Sequence, residues 1–183
     1  LEEIWSRNFT NLFIAPLKLK EIIVALIFTA LVRTLIGLVP AILLTSPLFG
    51  VSILNLGLPL ILLFLSLYIF GITLGLFVSA GLIRFGPSFE NIAWSSLFLL
   101  APLGCIYYPI EILPDFFQII AKSLPLVYIF DEARNILLNG FVNYENLRQA
   151  YYLNLAYLAF GIFLFYSSFL KARIKGTLIN MGE

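Results

Sequence analysis

Four long apolar stretches, over roughly 22–46, 53–82, 92–108 and 150–170, decide the solvent in which this chain folds. A hydrocarbon core about 30 Å thick takes about 20 helical residues to cross. Hydrophobic residues make up 61% of the sequence and charged residues 11%. A soluble domain of 183 residues has too little interior to hide that much apolar surface. The patterning therefore predicts an all-α, polytopic membrane helix bundle with those four stretches as spans.

The segments between the spans carry the remaining polar chemistry. Over residues 1–20, Ile4, Trp5, Asn8, Phe9, Leu12 and Phe13 recur at helical spacing, and Pro16 ends or bends the helix. Such an amphipathic segment lies in lipid headgroups or docks into a groove on a soluble partner, and its residues alone leave both readings open. In the first span Pro40 is internal and Thr45-Ser46-Pro47 reads as the stop. Residues 83–90 read as a polar turn, 109–140 as two helices too short to span, and 143–149 as a polar loop. Pro102, Pro109, Pro114 and Pro125 punctuate the third span and the two short helices, which predicts a re-entrant outer hairpin. Gly140 suits the residue just past a helix end.

Basic residues set the orientation. With four spans, Arg7, Lys18, Lys20, Arg84, Lys171, Arg173 and Lys175 share one side with residues 1–20 and the 171–183 tail, which makes that side cytoplasmic. The Asn8-Phe9-Thr10 sequon falls on this side and is discounted as a glycosylation site. Chemistry is excluded more sharply than it is indicated. The chain has no histidine, so a Ser-His pair and His-rich metal sites are out of reach. It has no GxxxxGK[ST] loop for nucleotide phosphates and no bound cofactor is expected. A net charge of +1 gives no footprint for nucleic acid. Cys105 is the one cysteine and has no intrachain partner for a disulfide.

Three sets of residues stand out. Gly71, Gly75 and Ser79 form a small-residue stripe that lets helices approach closely, either within the chain or across a dimer seam. Arg33 lies about 18 Å into the first span at 1.5 Å per residue, where a charge costs about 2.5–3.5 kcal/mol. It is a structural arginine that reaches backbone carbonyls, or it lines a path for an anionic substrate. Glu132 and Arg134, beside Asp131, belong to a solvated helix face or to an outer gate held by ion pairs.

The run from Trp5-Ser6-Arg7-Asn8 through Asn11-Leu12-Phe13-Ile14-Ala15-Pro16-Leu17 to Glu21 resembles the cytoplasmic coupling segment of ABC-2 type transporter permeases. Arg84-Phe85-Gly86, Glu90, Ala93-Trp94, Pro102, Tyr108-Pro109, Leu113-Pro114, Leu124-Pro125-Leu126 and Glu132-Ala133-Arg134 resemble that family's fifth span and outer re-entrant hairpin. The likeness runs over nearly the whole chain and rests on order and spacing, since no one motif is specific. Family members have six spans, so the first two are without counterpart here. With Leu1 at the start, the chain is expected to be the C-terminal part of a longer polypeptide.

The resemblance implies a multi-pass plasma-membrane permease of a bacterium or archaeon, working as a dimer, most simply a homodimer. Each copy would bind a cytoplasmic ABC ATPase subunit through Trp5, Asn8, Phe9, Leu12 and Pro16. The ATPase would use the ATP, and the permease would move a drug, lipid or glycan-like amphiphile without a catalytic residue of its own. Competing classes are a gradient-driven secondary transporter and a non-transporting membrane-assembly subunit. The four stretches hold no acidic residue for ion coupling, which weighs against the former. If Arg33 lines the path, Arg33→Leu reduces efflux of an anionic amphiphile from loaded vesicles while assembly is unchanged.

Overall fold

The computed structural model describes residues 19–50 and 53–175, and every regular element among them is helical. Six α-helices follow one another: α1 (Leu19–Phe49), α2 (Leu58–Phe85), α3 (Phe89–Leu103), α4 (Asp115–Ala121), α5 (Pro125–Asn139) and α6 (Tyr144–Lys175). Short 3-10 turns at Ile53–Leu56 and Ile110–Ile112 precede α2 and α4. Among the described residues three helices are long and apolar enough to cross a membrane, within Lys20–Leu48, Leu58–Phe85 and Tyr144–Ile174.

The expected span over 92–108 takes a different form. Helix α3 has 15 residues and covers only about 22 Å. Pro102 sits in its last turn, and Gly104 closes it by donating to the Leu100 carbonyl at 2.7 Å. Helix boundaries move elsewhere for equally local reasons. Pro47 does not stop α1, which runs on to Phe49 before Gly50 takes a positive φ. The helix lacks the one donor that proline cannot supply and continues for two residues beyond it. The second span opens later than 53, because Gly57 at φ 59° separates the 3-10 turn from α2. The expected polar loop 143–149 is mostly helix: the Asn143 side chain accepts the Glu145 N–H at 3.0 Å and so starts α6 at Tyr144. Gly140 ends α5 in the left-handed conformation, as read from the sequence.

Helices α2 and α6 form the spine, and they run parallel. Tyr151 Oη donates to the Leu62 carbonyl at 2.8 Å. One turn on, Asn154 Nδ2 donates to the Ser66 carbonyl and hydroxyl at 2.9 and 2.8 Å. Gly161 then meets Thr73, Leu76 and Phe77, and Phe169 and Ala172 pack on Ile83. Both residue numbers rise together along the seam, which fixes its direction. Ser66, Thr73 and Asn154 are fully buried in it. Interhelical hydrogen bonds in such apolar surroundings are worth about 0.6 kcal/mol on average and up to about 1.7.

The main core lies at the head of this pair, where Leu63 of α2, Ile129 and Ile136 of α5, and Leu147 and Ala150 of α6 are buried together. Helix α3 returns along α2, with the Phe89 ring against Gly81. Helix α1 is tied to α2 by Tyr68, whose hydroxyl donates to the Ile27 carbonyl at 2.6 Å. Most of its large apolar side chains are exposed.

The seam predicts a contrast between two glycines. A Cβ at Gly161 has Leu76 and Phe77 at 3.5 Å, whereas one at Gly75 meets nothing within 4 Å. Gly161→Leu is expected to cost about 1–3 kcal/mol by overpacking. It should lower the thermal unfolding midpoint in detergent, and Gly75→Leu should not.

Candidate functional site

Polar side chains converge at the head of the bundle, where α5 meets the turn after α3 and the start of α6. Helix α5 begins with Pro125 in its first turn, a position that needs no backbone donor. Leu126, Val127 and Ile129 are buried, which fixes the rotation of the helix and carries Glu132 inward. Glu132 is 0% exposed. Its Oε1 accepts the Asn143 backbone N–H at 2.6 Å, and its Oε2 accepts Asn146 Nδ2 at 3.3 Å. The same Asn146 amide donates to Asp131 Oδ2 at 3.2 Å.

Arg134 points elsewhere. Two residues along a helix are about 200° apart, so Glu132 and Arg134 occupy different sides of α5. Arg134 Nη1 donates to the Cys105 carbonyl at 2.8 Å, and Nη2 lies 3.7 Å from Asp131 Oδ1. Cys105 is itself fully buried and holds φ at 52° in the turn after α3. Beside it, Gly104 leaves room for Leu126, whose side chain lies 2.9 Å from where a Cβ would stand. Two neighbouring acids and one arginine on a single helix thus fasten both flanking segments to it.

This arrangement corrects the solvated-face reading of Glu132, which is buried and hydrogen-bonded. The expected Asp131–Arg134 pair is present, but the arginine's shorter contact is to backbone. Arg33 is exposed on α1. Gly71 and Gly75 are exposed and face open space, and Ser79 is half-buried, so the stripe lies off the face that packs on α6. Trp5, Asn8, Phe9, Leu12 and Pro16 lie outside the described residues.

Sequence reasoning missed the asparagines. Asn143 and Asn146 flank a helix start and Asn154 stands alone in an apolar helix. An amide in such surroundings needs a partner, and that need was the available signal. Asn154 Oδ1 is buried without a hydrogen-bond donor. Among the described residues no three His, Cys, Asp or Glu side chains gather as a metal set.

A second feature lies lower on the bundle. An apolar groove of about 340 Å³ runs between α2 and α3, from Phe89 and Val78 to Leu103 and Phe70, with Leu124 and Tyr157 also in its wall. Ser96 is the small polar residue on its edge.

No protein-family model, curated protein or solved structure matches the chain. The functional reading therefore stands on the residues and their geometry. The polar cluster joins the end of α3, α5 and the start of α6 through hydrogen bonds.

Removing the Glu132 carboxyl strands the Asn143 N–H and takes from Asn146 one of its two acceptors. Glu132→Ala is expected to cost about 2 kcal/mol. Hydrogen exchange should show faster exchange at the Asn143 amide, while Glu132→Gln, which keeps one acceptor, should lie between the variant and wild type.

Proposed function

We propose that the chain is a permease subunit of an ATP-driven exporter of the ABC-2 type, moving a drug, lipid or glycan-like amphiphile out of the cytoplasm. The observation that supports it most is the broken return between α2 and α6. Parallel helices oblige residues 86–143 to carry the chain back from the end of α2 to the start of α6. That return is made by a 15-residue helix, a 3-10 turn and the short helices α4 and α5, not by one continuous span. Backbone of this kind persists at membrane depth where protein or a water-filled cavity surrounds it.

In this reading α3 and the segment to Leu113 make the third of four crossings, and α4 and α5 cap its outer end. Residues 1–17 take force from a cytoplasmic ATPase subunit through Trp5, Asn8, Phe9, Leu12 and Pro16. The ATPase binds and hydrolyses ATP. A second copy of the permease completes the pathway, and the open face at Gly71 and Gly75 is available to it. Residues 1–20 and 171–183 then lie in the cytoplasm of a bacterial or archaeal cell. The bonds that Glu132 accepts from Asn143 and Asn146 make the outer cap a unit with α6, and the bond from Arg134 to the Cys105 carbonyl joins it to the end of α3, so that displacement of α6 moves the cap. Arg33 on exposed α1 fits a position beside the pathway.

One observation favours a second reading. Glu132 is a buried carboxyl group, the kind of group that gradient-driven transporters use for protons. Against it, both carboxyl oxygens already accept hydrogen bonds from the adjoining turn and helix.

Co-purification separates the two. The complete polypeptide is expressed with a cytoplasmic ABC ATPase of the same cell and extracted in mild detergent. Wild type should retain the ATPase, and Leu12→Asp should lose it with an unchanged thermal midpoint of the membrane part. Retention by Leu12→Asp moves the docking site elsewhere, and absence of any ATPase from wild type overturns the exporter reading.

A further inference from the structure

We propose that the groove between α2 and α3 is a binding site for one acyl chain of an anionic phospholipid, with the lipid phosphate held by Arg84 and the basic end of α6. One side of the groove is α2, a helix of membrane-spanning length, the other is the shorter α3, and the wall is apolar from Phe70 to Phe89. It follows α3, whose 15 residues give about 22 Å of length. One leaflet of a hydrocarbon core is about 15 Å deep, half of the full thickness. An acyl chain entering at the Phe89 end therefore fits before it meets Leu103 and Leu124.

Charge selects the lipid. Phe89 stacks on Phe85 with ring centroids 5.7 Å apart, and the Arg84 guanidinium lies over Phe85 at 5.5 Å. This aromatic pair links the end of the groove to an exposed cation. The parallel seam adds two more, because Ile83 packs on Phe169 and Ala172 and so brings Lys171 and Arg173 to the same end. All three cations are exposed. Glu90 is the acid on this turn, and its Oε1 accepts the Trp94 indole N–H at 3.3 Å. Basic residues at the ends of membrane helices attract anionic headgroups. A phosphodiester with a net negative charge is therefore preferred over a zwitterionic choline headgroup. The site needs only that the bundle lie in a membrane, so it stands or falls apart from the exporter reading.

The test is lipid titration of the complete protein in mild detergent, read by native mass spectrometry with phosphatidylglycerol and phosphatidylcholine. Wild type should bind the glycerol lipid more tightly. Arg84→Gln should lose about fivefold of that preference, the amount one surface cation contributes. Lys171→Gln is a second, independent charge variant. Ser96→Trp fills the groove and should weaken both lipids at least tenfold, whereas Ser95→Trp, exposed on the same helix but outside the groove, should weaken neither. Thermal midpoints of all four variants establish that each remains folded. Equal binding of the two lipids by wild type, an unchanged preference in both charge variants, or equal effects of the two tryptophans would overturn the proposal.

Discussion

Helices α2 and α6 are held side by side by hydrogen bonds that rise in step from Leu62–Tyr151 to Ser66–Asn154, and the direction of that seam governs the rest of the architecture. Two parallel helices in one chain cannot be joined by a tight turn. Everything between them must travel back over the same height, and here only 58 residues, 86–143, do so. A full span followed by a plain loop would meet that demand with ease. The chain instead divides the return into a short helix, a turn and a bent pair of helices. The division leaves backbone groups to satisfy outside regular helix, and the arginine and glutamate of α5 take part in that work at Cys105 and Asn143.

Polar atoms are accordingly spent on structure. In a bundle with so little polar chemistry, buried groups mark where the packing is specified. Hydrophobic contact in lipid does not distinguish one helix face from another, because lipid tails are as apolar as leucine. The amide of Asn154 and the carboxyl of Glu132 do distinguish them. Each has partners in one register only, and a rotated helix would strand it.

Much of this organisation was legible in the sequence. The hydrophobic runs located α1, α2 and α6, and the prolines with Gly140 located the breaks around α4 and α5. What periodicity misjudged was length. The run over 92–108 reads as one span interrupted at Pro102 and Gly104, because Cys105, Ile106, Tyr107 and Tyr108 prolong it as apolar or amphipathic residues, yet in the structure those two breakers end the helix at Leu103. The start of α6 was hidden for the opposite reason: Tyr144 to Gln149 look like loop by composition, and only the cap from Asn143 makes them helix. Local spacing found the Asp131–Arg134 pair. It had no means of placing Glu132 against Asn143, eleven residues away, since that contact depends on the turn between α5 and α6. The stripe of Gly71 and Gly75 was visible, but a stripe says nothing about which neighbour it receives.

Cys105 gives the molecule a reporter of its own. Its thiol is the one such group in the sequence, it is 0% exposed, and it lies in a cluster with Ala121 and Val127 beneath the carbonyl that Arg134 holds. A water-soluble thiol reagent reaches it only when the segments packed over it, the turn at Tyr108 to Leu113, α4 and α5, part from one another. When labelling outpaces reclosing, the rate at which the native protein takes up the reagent counts the openings of the cap, with no residue changed.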